Sequence, residues 1–177
     1  MKLIALLLLL LASPVFAQET SALNNPLWAC GPDAAKFEVT TTPAADVVPV
    51  QLPEQGQALV YVIQDLGETN CLGECSVTTR VGLDGSWIGA NKGRSYFSFS
   101  VSPGEHHLCT NVQSRFAYLS VFHSLANFTA AAGKTYFFRL RFLSSSQVPQ
   151  PDLEPTNIDQ ARYLVSFSNL ATPHPKK

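Results

Sequence analysis

The sequence predicts a mainly β protein, an antiparallel β-sandwich of about seven to nine strands, with a short C-terminal helix as an option. Three observations predict it. Residues 81–111 read VGLDGSWIGANKGRSYFSFSVSPGEHHLCTN, three strand-like runs joined by turn signals. Within them Asp84-Gly85 accepts the positive φ angles of a tight hairpin, and Pro103-Gly104 marks a second reversal. Only 14% of the chain is charged while Phe, Val, Leu, Ser and Thr abound, a composition suited to half-buried sheets.

Residues 1–17 read as a secretory signal: Lys2, an unbroken apolar run from Leu3 to Leu11, and the small-residue site Val15-Phe16-Ala17, so the mature chain is expected to start at Gln18. The run is too short to span a bilayer, which takes roughly 20 residues. A lipoprotein-like box at Leu27-Trp28-Ala29-Cys30 is set aside, because five polar or breaker residues separate it from the apolar run. Loss of Lys2 with the signal moves the formal net charge from -1 to -2. That balance argues against nucleic acid, whose binding needs a basic surface. Roughly 160 remaining residues are enough for one domain with a core of its own.

In chain order, 18–36 is expected as an extended arm, 37–42 as a first strand, and 43–56, with three prolines and a glycine, as a connection. Residues 58–64, ALVYVIQ, are almost continuously apolar and suit a central strand covered on both faces. A polar loop at 65–76 precedes a hairpin of 77–83 and 86–90. In 96–101, YFSFSV, a period of two sets Phe97, Phe99 and Val101 on the inner face, opposite Tyr96, Ser98 and Ser100. Residues 106–113 return after the Pro-Gly turn, and 119–129 are a mixed run with strand character. Gly133-Lys134 turns into 135–142, where Tyr136, Phe138, Leu140 and Phe142 share a face and Phe137, Arg139 and Arg141 face away. Residues 144–155 read as a surface loop. Asn157 and Gln160 form a helix start, after which Ile158, Ala161, Leu164, Val165 and Ser168 recur at helical spacing. A strand is the alternative for 163–167. The sandwich is placed at 37–170 and a polar tail at 171–177.

Four cysteines outside the signal, in an oxidising compartment, read as two disulfides with three possible connectivities. The expected pairs are Cys71 with Cys75, closing the small loop CLGEC, and Cys30 with Cys109, pinning the arm to the strand after the Pro-Gly turn. Zinc is disfavoured because the Cys-x3-Cys pair has only Cys109 and scattered histidines to complete it.

Residues 58–64, Gly82-Leu-Asp-Gly85, Ser95-Tyr-Phe97, Pro103-Gly-Glu-His106 and Gly133-Lys-Thr-Tyr136, in this order, resemble a bacterial family of secreted domains of unknown function, numbered twenty-eight forty-six. The resemblance covers roughly residues 58–167. The Asp-Gly and Pro-Gly-Glu-His pieces are also similar to the small envelope modules named PEGA. The resemblance implies a compact β-sandwich of an exported protein, often attached to the cell envelope, and carries over no catalytic residue.

Chemical constellations are sparse. His106 and His107 are adjacent, so on a strand they face opposite ways and cannot both reach one metal ion. His123-Ser124 lacks a Gly-x-Ser-x-Gly elbow. Asp84, Gly85, Pro103, Gly104, Glu105 and His106 read as structural turn residues, and Asp65, Glu68 and Glu74 are too few for a calcium loop. Phe137, Arg139 and Arg141 form an outward basic and aromatic stripe, a binding stripe for an acidic group or sugar ring in the sharper reading and a solvated face in the plainer one. Asn127-Phe-Thr129 is a glycosylation sequon only in a eukaryotic secretory pathway. The expectation is an exported, non-catalytic envelope module without cofactor or metal, recognising another protein or a glycan. The alternative is a small-ligand carrier with its pocket between the sheet and the C-terminal segment.

Overall fold

The computed structural model describes residues 29–43, 51–66, 77–114, 121–143 and 150–176. The signal at 1–17 and the Cys71–Cys75 pair lie outside the described residues. The chain folds as two packed sheets with one helix. The strands are β1 (Phe37–Thr42), β2 (Ala58–Gln64), β3 (Thr78–Leu83), β4 (Ser86–Lys92), β5 (Ser95–Val101), β6 (Gly104–Val112), β7 (His123–Ala130), β8 (Thr135–Leu143), β9 (Gln150–Pro155) and β10 (Asn169–Pro175), with helix α1 (Ile158–Ser166) before the last. One sheet has the order β1-β10-β5-β2-β8-β9 and the other β4-β3-β6-β7.

The sandwich expected from the sequence is present, with three corrections of detail. The six-stranded sheet is mixed, since β2 runs parallel to β8 and β10 parallel to the start of β5. The end of the expected loop at 144–155 is strand β9, paired with β8 from Phe138↔Pro155 to Leu143↔Gln150. Its Pro151 and Pro155 are tolerated because β9 is an edge strand, where missing N–H donors cost no ladder bonds. Nearly all of the expected polar tail at 171–177 is strand β10, held between β1 and β5. Its prolines and histidine hide the strand pattern, and the register with β1, from Phe37↔Pro175 to Thr42↔Leu170, becomes visible only in three dimensions.

Strand β2 is buried along its whole length, as its unbroken apolar sequence requires. Its inner face, with Val60 and Val62, joins Phe97, Phe138, Leu140, Val81 and Leu108 in the core between the sheets. Its outer face, Leu59, Tyr61 and Ile63, packs with Tyr96 and Phe137 beneath Ala161, Leu164 and Val165 of α1. Tyr61 stacks on Phe137 at 5.3 Å between ring centroids and lies 6.1 Å from Tyr96. Each such ring stabilises the fold by roughly 1.5–3 kcal/mol through burial. Tyr96 and Phe137 therefore do not face water: α1 forms a third layer over them.

The helix option at the C-terminus holds. The Asn157 side chain accepts from the Gln160 N–H at 2.9 Å, and the fully buried Ala161 lets the helix approach the sheet closely. The cap and the periodic apolar face prevail over the β propensity of residues 163–167. After α1 the Asn169 N–H donates to the Arg94 carbonyl at 3.1 Å and carries the chain into β10.

Candidate functional site

The predicted turn residues meet at one end of the four-stranded sheet. Asp84 (φ 50°) and Gly85 (φ 88°) make the β3–β4 hairpin turn, where only a residue tolerant of the left-handed region fits. One Asp84 carboxylate oxygen accepts from the His107 N–H at 2.8 Å, and the other lies 2.7 Å from His106 Nδ1. His106 Nε2 lies 2.8 Å from the Ser102 carbonyl, just before Pro103, and its ring sits 5.6 Å from Phe128. Gly104 and Glu105 open β6 opposite Ala130 and Thr129. Both ring nitrogens of His106 thus face acceptors, an arrangement that favours the imidazolium. Burial alone would disfavour that charge, but the Asp84 hydrogen bond, the Ser102 carbonyl and attraction to Asp84 outweigh it, and the pKa stands above 6.5. A raised folded-state pKa gives stability that is complete below the unfolded pKa and is lost as pH rises through the folded one. The unfolding free energy of the wild type relative to His106→Gln is accordingly expected to fall on going from acid to alkaline pH across this window. Urea titrations of both proteins at a series of pH values measure it, and parallel curves would refute it.

Ahead of β1, residues 29–36 cross the four-stranded sheet as a strap. Cys30 is disulfide-bonded to Cys109 of β6, with the two Cα atoms 5.1 Å apart. Gly31 sits so close to Trp87 that a Cβ there would fall 2.4 Å from the indole, so the strap admits no side chain at that point. Trp87 Nε1–H donates to the Pro32 carbonyl at 2.8 Å. Arg80, 4% exposed, donates from Nη1 to the carbonyls of Asp33 and Ala35 at 2.9 and 2.8 Å and from Nε and Nη2 to Asn111 Oδ1. Its guanidinium lies 4.3 Å from the centroid of Trp87. Burial lowers its pKa, and the Asp33 charge pulls it part of the way back. A recess of about 400 Å3 lies beside Arg80, lined also by Lys36, Gln113 and His123. Two of its polar side chains are engaged with neighbours: Gln113 accepts from the Phe37 N–H and donates to the Phe37 carbonyl, and His123 bridges Asn111 and the Val121 carbonyl. Ser124, facing away from His123, accepts from the Leu153 N–H and joins β7 to β9. The recess is the seam of the strap.

The expected stripe of Phe137, Arg139 and Arg141 is divided. Phe137 is in the core under α1. Arg141 donates to Asp152 at 3.0 Å and to Glu154 at 3.1 Å on the β9 edge. Arg139 alone reaches a groove, of about 310 Å3, between the sheet and α1. Its Nε and Nη2 donate to Asp65 Oδ2 at 3.0 and 2.6 Å, with Glu154 3.9 Å away on its other side. Arg94 completes the sheet-side wall, and Gln160, Tyr163, Leu164, Phe167 and Ser168 form the helix side. Tyr163 and Phe167 are 65% and 61% exposed, with their rings 5.0 Å apart and tilted at 59°. Asp65, weighed in the sequence for calcium, is held by Arg139; Glu68 and Glu74 lie outside the described residues.

Arg80, Arg94, Tyr163 and Phe167 were not singled out from the sequence. The helical spacing that selects Ala161, Leu164 and Val165 as the inner face leaves Tyr163 and Phe167, four apart, on another, and that exclusion was the available signal. Arg80 carried none, because its burial depends on a strap from distant residues.

Among the described residues no helix is long and apolar enough to cross a membrane. No curated protein and no solved structure matches the chain. The family model described as a protein of unknown function, DUF2846, matches residues 54–151. The match takes in β2 to β8 and ends before α1 and β10, short of the residue 167 expected from the resemblance. Since it covers more than half of the chain, the protein belongs to the DUF2846 family.

Proposed function

We propose that this protein is an exported, non-catalytic interaction module of the bacterial cell envelope, recognising an envelope protein or a glycan through the groove beside α1. One observation carries the reading: Tyr163 and Phe167 stand exposed at the lip of the groove, on a helix whose inner face already meets the needs of the core. Large exposed aromatic side chains beside a concave polar wall are a common make-up of binding surfaces. Export is supported by the signal-like residues 1–17 and by the Cys30–Cys109 bond, which persists in oxidising compartments. The non-catalytic part rests on the groove's polar groups, where Arg139 and Asp65 bond each other.

Comparing wild type with Tyr163→Ala/Phe167→Ala tests the reading. Both are secreted under their own signal and chemically crosslinked in the periplasm, and their partners are identified by mass spectrometry. A partner captured by the wild type is expected to be lost from the double variant at unchanged thermal stability. Equal capture by both would sink the proposal.

The carrier reading keeps one observation in its favour: the groove lies between sheet and C-terminal helix, and its volume of about 310 Å3 meets the lower bound of roughly 300 Å3 for ligand sites. Against it, the space beneath the middle of α1 is filled by Tyr61, Ile63, Tyr96 and Phe137.

A further inference from the structure

Resting on that reading, we propose that the groove takes an uncharged sugar ring of a glycan, stacked on Tyr163 and hydrogen-bonded by Arg139 and Asp65. A sugar ring presents a face of C–H groups and a rim of hydroxyls, each able both to donate and to accept. Recognition therefore calls for an exposed aromatic ring beside planar polar groups of both kinds, held in fixed orientation. The groove has these parts. Tyr163 supplies a ring that is 65% exposed. The Arg139 guanidinium and the Asp65 carboxylate, fixed on each other at 2.6 and 3.0 Å, supply a donor and an acceptor without side-chain ordering on binding. Gln160, on the helix wall, is itself held by the Thr156 hydroxyl at 3.0 Å.

Charge decides which class of sugar fits. The cations Arg94, Arg139 and Arg141 are matched in number by Asp65, Asp152 and Glu154, with Glu154 shared between Arg139 at 3.9 Å and Arg141 at 3.1 Å. The wall offers no surplus positive charge to a uronic acid or phosphate, so a neutral ring is favoured and its binding is insensitive to salt. The concave volume of about 310 Å3 suits a compact ligand better than a flat protein face. Asp65, Arg94 and Arg139 lie in the stretch matched to the family, whereas Gln160, Tyr163 and Phe167 lie beyond it, so the C-terminal helix completes the site.

The test titrates the 15N-labelled mature protein with neutral tetrasaccharides (of glucose in cello and malto linkage, and of N-acetylglucosamine) and with polygalacturonate. At least one neutral tetrasaccharide is expected to shift the amides of Arg94, Arg139, Tyr163 and Phe167, with an affinity unchanged from low to high salt. Tyr163→Ala should weaken it about tenfold, the loss of one stacked ring, while Ile158→Ala, on the same helix outside the groove, should leave it unchanged. The inference is overturned if no neutral tetrasaccharide shifts these amides, or if only polygalacturonate binds and salt releases it. Should the sugars fail while an envelope protein is still captured by the wild type and lost from the Tyr163/Phe167 variant, the module reading stands and this inference falls. Failure of both experiments removes both.

Discussion

Replacing both Cys30 and Cys109 by Ala is expected to lower the unfolding free energy by about 4 kcal/mol. The bond joins residues 79 apart in sequence, and in the chain-entropy picture closing a loop of that length removes a large part of the unfolded chain's freedom. The pair has to be removed together, since a lone Cys109 would leave a buried thiol beneath the strap, on the outer face of the four-stranded sheet, and confuse the comparison. Urea unfolding of the double variant beside the wild type, both without reductant so that the expected Cys71–Cys75 bond is left intact, measures the loss. A loss below about 1 kcal/mol would mean that the strap's other contacts persist in the unfolded chain and constrain it without the bond.

The second large effect belongs to Arg80. Arg80→Ala should cost about 3 kcal/mol, because it removes the four hydrogen bonds that the guanidinium gives to Asn111 Oδ1 and to the carbonyls of Asp33 and Ala35, and takes the cation from the face of Trp87. Arg80→Met restores apolar volume but none of these hydrogen bonds, so it should recover only part of the loss. Arg80 and the disulfide hold one strap, and their effects should not add: with Cys30 and Cys109 already replaced, Arg80→Ala is expected to cost less than in the wild type. A thermodynamic cycle over the four proteins measures the coupling, and strict additivity would contradict the strap as a cooperative unit.

The sandwich was legible in the sequence wherever a local pattern decides structure. ALVYVIQ announces a strand buried on both faces, the alternation in YFSFSV assigns its inner face, and Asp84-Gly85 fixes a hairpin by backbone chemistry. The cysteine count leaves three connectivities open, and the fold brings together the expected pair Cys30 and Cys109. Patterns that depend on distant chain were not legible. Strand β10, NLATPHP, has little strand propensity and exists because β1 and β5 offer it partners. The same holds for β9, whose prolines imitate a loop. Phe137 reads as outward from the period of β8 alone, and that geometry is right; its burial comes from α1, laid over the sheet some twenty residues later. The groove was half legible. In the sequence Arg139 belongs to a stripe that reads either as a binding stripe or, more plainly, as a solvated face; its companions come from the ends of β2 and β5 and from α1, and no local spacing brings them together. His106 was legible as a turn residue, while its double hydrogen bonding required Asp84, from the β3–β4 turn, and Ser102.

The most direct measurement of the groove as the proposed interaction site is photocrosslinking from defined positions in the protein expressed with residues 1–17. A photoreactive phenylalanine analogue replaces Tyr163 in one protein and Leu125, an exposed residue of β7 on the other sheet, in a second. The account predicts a specific adduct, with envelope protein or glycan, from position 163 and none from 125. Adducts from 125 alone, or the same adducts from both, would contradict it.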